Sequence, residues 1–265
     1  MKNYQEQLFT NGFCVIDNVI PLSEVIQLRQ KYLSQFTTDK FTFTAQEVLE
    51  HPDLAGILFS QIVIQTISQI IGSYYCMYPD FSFRRGLYIP WHSDVPYLTP
   101  QDTAPDHSGH MFQVSLYLQD NTAESGGGLD AIVGSHHCQE LDHTNLDLAM
   151  LDGYQSQRMP STAGSLTIWD SRLIHKSSEP TDTNVNPEIK LALQWTVSRD
   201  EQFSEQYLQF LQDRIDAKLK NSVYDQNPRE MRNLLAMSEL RYPDSFSSEQ
   251  LMIIKNHKLK FKLFQ

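Results

Sequence analysis

The first feature of this sequence that could do chemistry is a histidine and a carboxylate two residues apart. In "YIPWHSDVPYLTP" (residues 88–100), His92 and Asp94 flank a single serine. On an extended segment, residues i and i+2 share a face, so an imidazole nitrogen and a carboxylate would stand side by side. Such a pair is two-thirds of a 2-His-1-carboxylate site, the arrangement with which non-haem iron oxygenases keep coordination positions open. Among the nine histidines, His175 stands out as the third ligand. It ends "GSLTIWDSRLIH", a strand-like run opened by Gly164. Spacing alone leaves these residues equally suited to the polar face of a strand.

The order of the neighbouring segments favours the metal. "WHSD" is followed by "VSLYLQDNTAESGGGLDAIVGSHH" and then by "GSLTIWDSRLIHKSSEPTDTN". This succession resembles the phytanoyl-CoA dioxygenase family of iron- and 2-oxoglutarate-dependent oxygenases. The resemblance runs over roughly residues 8–198 and includes the opening "FTNGFCVIDNVIPLSEVIQLRQKYL". It implies a double-stranded β-helix core (a jelly roll, cupin-like) with flanking helices and an iron site at one end. It also implies Fe(II) held by His92, Asp94 and His175, with 2-oxoglutarate and O2 as cosubstrates. The implied reaction oxidises a small organic molecule while 2-oxoglutarate is decarboxylated to succinate and CO2.

One position departs from the family pattern. Members usually place an arginine soon after the second histidine to grip the far carboxylate of 2-oxoglutarate. Here "HKSSEPTDTNVNPEIKLALQWTV" aligns Lys190 with it, after a longer loop. Lysine supplies the charge without the planar fork of arginine. Lys190 is therefore expected to clamp the cosubstrate, assisted by Ser177 and by Gln194, which shares its face by strand parity. The alternative has Lys190 merely opening a strand and facing solvent. Arg199 lies on the other parity and is a weaker substitute. Because the carboxylate of Asp94 is retained, where halogenating relatives lose it, hydroxylation is the default outcome, with desaturation or ring formation also open. Two other readings remain: a cupin-like metal-binding or sensing protein without turnover, and an iron oxidase that does not use 2-oxoglutarate.

Four further residues are candidates for substrate contact: Arg85, Tyr97, Trp169 and Asp170. For each, packing or an ordinary surface role is the plainer alternative. The run "ESGGGLDAIVGSHH" does not match a P-loop, since no lysine follows at the required spacing. Its glycines suit tight turns at a barrel rim. His136 and His137 are expected to be structural, and His107, His110 and His143 to lie on the surface. The loop "QDTAPDHSGH" is placed to cover substrate.

The elements that must position these groups can be read from texture. Residues 74–200 hold short runs rich in aromatic and β-branched residues, separated by Gly, Pro, Asn and Asp, which is the pattern of a β sandwich or barrel. An N-terminal part, residues 1–73, carries a short helix, the strand "GFCVIDNVI", a helix capped by Ser23 with Ile26, Leu33 and Phe36 toward the core, and one buried helix over 52–71 closed by Gly72. A helical extension, residues 201–265, shows a stripe of Phe203, Tyr207, Leu208, Leu211, Ile215 and Leu219, then an Asn227-Pro228 helix start. The whole is read as one domain over residues 1–265.

Composition sets the outer bounds. With 40% hydrophobic and 20% charged residues in 265, the chain folds and can bury a core. A formal net charge of −11 argues against a nucleic-acid partner. Cys14, Cys76 and Cys138 form no CxxC and no disulfide framework, which fits a reducing cytoplasm. The opening "MKNYQEQLFTNGF" lacks the apolar stretch of a secretory signal, and the apolar run near residue 60 is broken by Ser and Gln, so no membrane partner is expected.

Overall fold

Eleven strands are present in the structure, a computed structural model that describes residues 3–37, 40–99, 101–102, 110–184, 186, 190–217 and 245–262. They are β1 (Phe13–Ile16), β2 (Thr42–Phe43), β3 (Cys76–Met77), β4 (Ser82–Arg85), β5 (Met111–Tyr117), β6 (Leu129–Ile132), β7 (Ser156–Met159), β8 (Leu166–Asp170), β9 (His175–Ser177), β10 (Leu191–Ser198) and β11 (Lys260–Phe261). Eight of them form a large sheet in the order β1-β8-β5-β10-β3-β11, with β4 also on β10 and β2 on β4. A small antiparallel sheet runs β7-β6-β9. This two-sheet architecture is the one expected for a jelly roll.

The large sheet is polar on the side that faces the small sheet. Ser82, Gln194, Ser115 and Thr167 stand in one cross-strand row over β4, β10, β5 and β8. Arg84, Ala192 and Tyr117 form the next row, while Gln113 pairs with both Thr196 and Trp169. Alternate residues point the other way. Phe83, Val114, Leu116, Ile168, Leu193 and Trp195 join the main hydrophobic core with residues of the helices. On the inner side a smaller apolar cluster ties the sheets together through Trp169, Leu129, Ala131, Met159 and Leu173, with Phe13 and Val15 against it.

Seven helices are described: α1 (Tyr4–Asn11), α2 (Leu22–Tyr32), α3 (Ala45–Glu50), α4 (Pro52–Leu58), α5 (Gln61–Ile71), α6 (Ser204–Ala217) and α7 (Ser248–Asn256). The expected cap Ser23 lies inside the first turn of α2, because Pro21 takes the N-cap position. Ile26 is exposed, and Val25, Leu28 and Tyr32 form the buried face instead. The single helix expected over 52–71 is two. Ser60 breaks it and accepts a hydrogen bond from Val63 N, a cap that starts α5 afresh. Pro52–Ile71 is apolar and long enough to pass as a membrane span, with mean hydropathy 1.7 over an 18-residue window. The break and the burial of Leu54, Leu58, Ile64 and Ile67 in the main core give it a packing role. Of the stripe, Phe203 just before α6 and Tyr207 and Leu211 within it are buried, while Leu208 is half-buried. The side chains of Ile215 and Leu219, the Asn227-Pro228 start, His107 and most of the loop after Pro100 lie outside the described residues.

Candidate metal centre

His92, Asp94 and His175 each offer a ligand atom, and these atoms lie within 4.8 Å of one another. His175 opens β9 in the small sheet, whereas "WHSD" forms no strand of its own. A single antiparallel bridge joins it to β9: His92 N to His175 O at 2.9 Å and His175 N to His92 O at 3.0 Å. Pro90 and Pro96 flank the segment and have no N–H to extend a ladder. Other bonds fix the loop. Asp94 N donates to Ser171 O at 2.7 Å, and the Ser93 hydroxyl donates to the His143 carbonyl. The pair thus converges through one bridge and a pinned turn, where regular strand parity was expected.

The orientation of the rings suits a metal. His92 Nδ1 lies 2.7 Å from Pro90 O and His175 Nδ1 lies 2.9 Å from Leu173 O. A carbonyl can only accept, so each Nδ1 carries the proton and each Nε2 presents its lone pair. Those Nε2 atoms lie 3.5 and 3.6 Å from the two oxygens of Asp94. Trp169 donates its indole N–H to Asp94 Oδ2 at 3.0 Å and sets its ring edge-on to His175. Burial raises the Asp94 carboxyl, but His175, His92 and the Trp169 N–H together outweigh it and hold it at about 2. Burial, then the neighbouring His92, lowers His175 to about 4. A charged carboxylate and a neutral imidazole are the forms that bind a metal. Two nitrogens and one carboxylate oxygen in this arrangement fit Fe(II) with open positions.

Beside the triad, Ser177 follows His175 by two residues on β9 and shares its face. Its Oγ accepts from Ile89 N at 3.0 Å and from Lys190 Nζ at 3.1 Å. Lys190 is 4% exposed, so it does not face solvent, and its ammonium lies 4.8 Å from the centre of the Tyr88 ring. Gln194 sits two rows along and donates to Ser115 Oγ at 2.8 Å. Lys190, Ser177 and Gln194 therefore line one side of the space between the sheets.

The four candidates for substrate contact separate. Tyr97 reaches the inner side, with its ring against Tyr207 and Phe210 of α6 and its hydroxyl buried without a hydrogen-bond partner among the described residues. Trp169 is occupied by Asp94. Asp170 points to the opposite face of β8, where Arg172 Nε and N donate to its Oδ1. Arg85 likewise faces outward, pairing across β10 with Leu191 and donating to Phe36 O. It is Arg84 that shares the inner face, by the same parity that Gln194 obeys. Of the histidines placed on the surface, His143 is 3% exposed, and its Nε2 bonds Cys138 O in the turn that receives Ser93. His136 and His137 both direct Nε2 at the Phe9 carbonyl, tying the turn after β6 to α1. Sequence reasoning missed Tyr88, Ser115 and Tyr117; the alternation in "VSLYLQD" was the signal for the last two.

A two-sheet β fold with a 2-His-1-carboxylate triad between its sheets is the arrangement of non-haem iron oxygenases. The signature of the phytanoyl-CoA dioxygenase (PhyH) family matches residues 9–184, and the chain belongs to that family. No curated protein matches the chain in sequence. Among solved structures, it is similar to EctD from S. alaskensis (TM-score 0.56, 15% identity, 75% of this chain and 77% of that one). It is similar also to the epimerase SnoN in complex with Fe3+, alpha ketoglutarate and nogalamycin RO (TM-score 0.55, 12% identity, 74% and 82%). EvdMO1 is a third (TM-score 0.55, 17% identity, 74% of this chain), and the chain covers 49% of its length.

Proposed function

We propose that this chain is an Fe(II)- and 2-oxoglutarate-dependent dioxygenase that oxidises, by default hydroxylates, a small organic molecule. The observation that carries this reading is the convergence of two Nε2 lone pairs and one carboxylate, each held from behind by the protein. Bound iron would supply O2 activation coupled to decarboxylation of 2-oxoglutarate to succinate and CO2. His92, His175 and Asp94 would hold it, and the Trp169 N–H keeps Asp94 turned toward the histidines. Lys190 and Ser177 would receive the far carboxylate of 2-oxoglutarate. Residues two apart on a strand are separated by about 7 Å, which suits a five-carbon dicarboxylate reaching from His175 to Ser177. Tyr97, Tyr207 and Phe210 form an aromatic wall that keeps water from the reacting side. EctD with 2-oxoglutarate and 5-hydroxyectoine, and SnoN with its nogalamycin ligand, support a small-molecule substrate.

Anaerobic titration of the Fe(II)-loaded protein with 2-oxoglutarate tests the reading. A metal-to-ligand charge-transfer band is expected in the wild type and is expected to be lost in Lys190→Ala at the same cosubstrate concentration. Metal binding with no band in the wild type would sink it. A screen for succinate release across small-molecule classes then identifies the substrate.

A further inference from the structure

A second cavity lies on the face of the large sheet turned away from the metal centre. Phe112 of β5 pairs with Asp170 of β8, and both point to the side opposite Trp169. Together with α1 and the C-terminal end of α5 they enclose a space of about 490 Å³. Leu8, Phe9, Ile70, Ile71 and Phe112 make most of its wall apolar. A volume of this size falls within the range of about 300–1,000 Å³ that small-molecule sites occupy.

Arg199 stands exposed at the rim. Its Nε donates at 3.0 Å to the carbonyl of Ile71, the last residue of α5, and its guanidinium lies 5.8 Å from the centre of the Phe112 ring. Those two contacts hold the group in place. Its Nη1 and Nη2 have no hydrogen-bond partner among the described residues, and no carboxylate there pairs with it. The sequence has 32 acidic residues against 21 Lys and Arg, so an arginine held in place without an acid beside it is not explained by a shortage of acids. The other polar groups of the wall are engaged. Arg172 Nε holds Asp170 at 3.1 Å, His136 and His137 both direct Nε2 at the Phe9 carbonyl, and Gln5 donates to Gln69 O.

We propose that this cavity binds a small organic monocarboxylate with an apolar body, its carboxylate gripped by Nη1 and Nη2 of Arg199 and its carbon chain laid against Leu8, Ile70 and Phe112. Two parallel N–H donors on one planar group match the two oxygens of a carboxylate. The apolar wall favours an acid with a carbon body over an inorganic anion, which the net charge of −11 would repel and the cavity would not retain. The site is separate from the metal centre and does not depend on it.

The test uses octanoate and 1-octanol as probes, titrated calorimetrically into the full chain with and without Zn(II). Octanoate is expected to bind with the same affinity in both conditions. Hydrogen bonds to a charged group correspond to about a ten-fold or greater gain, so 1-octanol is expected to bind at least about ten-fold more weakly. Arg199→Gln is expected to bring octanoate down to the level of 1-octanol. Gln5→Trp, which narrows the rim and leaves Arg199 anchored on Ile71, is expected to weaken both probes, and it keeps the test open if Arg199→Gln is unstable. Lys190→Ala, in the space between the sheets, is expected to change neither. Absence of octanoate binding to the wild type, equal affinity for the two probes, or octanoate binding that survives Arg199→Gln and is lost in Lys190→Ala overturns the proposal. Each of those results leaves the proposed oxygenase function standing.

Discussion

At the scale of single residues, the centre depends on hydrogen bonds one step behind the ligands. Trp169 is the clearest case, since its indole N–H is the group that turns Asp94 Oδ2 toward His175. Trp169→Phe keeps an aromatic ring between the sheets and removes that N–H. Loss of such a partner costs about 10–100-fold in metal affinity, so a competition titration with a chelator should show a loss of that size while the fold is retained. The same residue marks a limit of sequence reading. An indole on a strand before the second histidine reads as packing, and its bond to Asp94 depends on a loop whose path the sequence does not spell out. Tyr97, a candidate for substrate contact in the sequence, packs its ring against Tyr207 and Phe210, a contact that depends on where α6 docks and that spacing from Asp94 does not reveal.

At the scale of elements, the site is set by how β8 and β9 are anchored. The turn into β8 is built around Gly164, whose φ of +85° is a conformation that L side chains rarely adopt. Its carbonyl accepts from Val19 N and Ile20 N, and an added Cβ would lie 2.3 Å from Ile20 O. Gly164→Ala is expected to cost at least about 2 kcal/mol, through strain and collision together; denaturant unfolding measures it as a shift in midpoint. The strands were legible because β-branched and aromatic runs punctuated by Gly and Pro leave few alternatives, and strand parity correctly put Lys190 and Gln194 on one face. Parity failed where the chain is irregular. "WHSD" is a pinned loop, and Arg84 and Arg85, adjacent in sequence, differ by a half-turn of the pleat that only the pairing with β10 fixes. The break at Ser60 was hidden for a related reason: apolar spacing continues across it, while the cap is a local hydrogen bond.

At the scale of the whole molecule, buried titratable groups tie stability to pH. His136 is 2% exposed; burial, opposed by Asp170 and reinforced by His137, lowers it to about 4. In the unfolded chain an ordinary histidine titrates near 6.5. Between about 4 and 6.5 the unfolded state therefore binds more protons, so stability rises with pH across this window. The contribution of His136 is complete above about 6.5 and is lost as pH falls toward 4, a difference on the order of 3 kcal/mol. His175 acts in the same direction, which makes the informative comparison that between variants. His136→Gln, which retains an N–H for the Phe9 carbonyl, should show a shallower fall in unfolding free energy between pH 7 and pH 5 than the wild type.

The polar inner face of the large sheet has a consequence for how this architecture can change. Ser82, Ser115, Thr167 and Gln194 contribute little to the apolar core, which lies on the other side of the same strands with the helices. If the proposed site lies between the sheets, most of the packing with the helices and the polar lining of that site are written on alternate residues of one sheet. On the proposed reading, a substitution at an inward polar position would alter the lining of the site while leaving the helix-packed face intact, and the reverse would hold one residue along. Such a chain can drift toward new substrates in single steps without first becoming more stable.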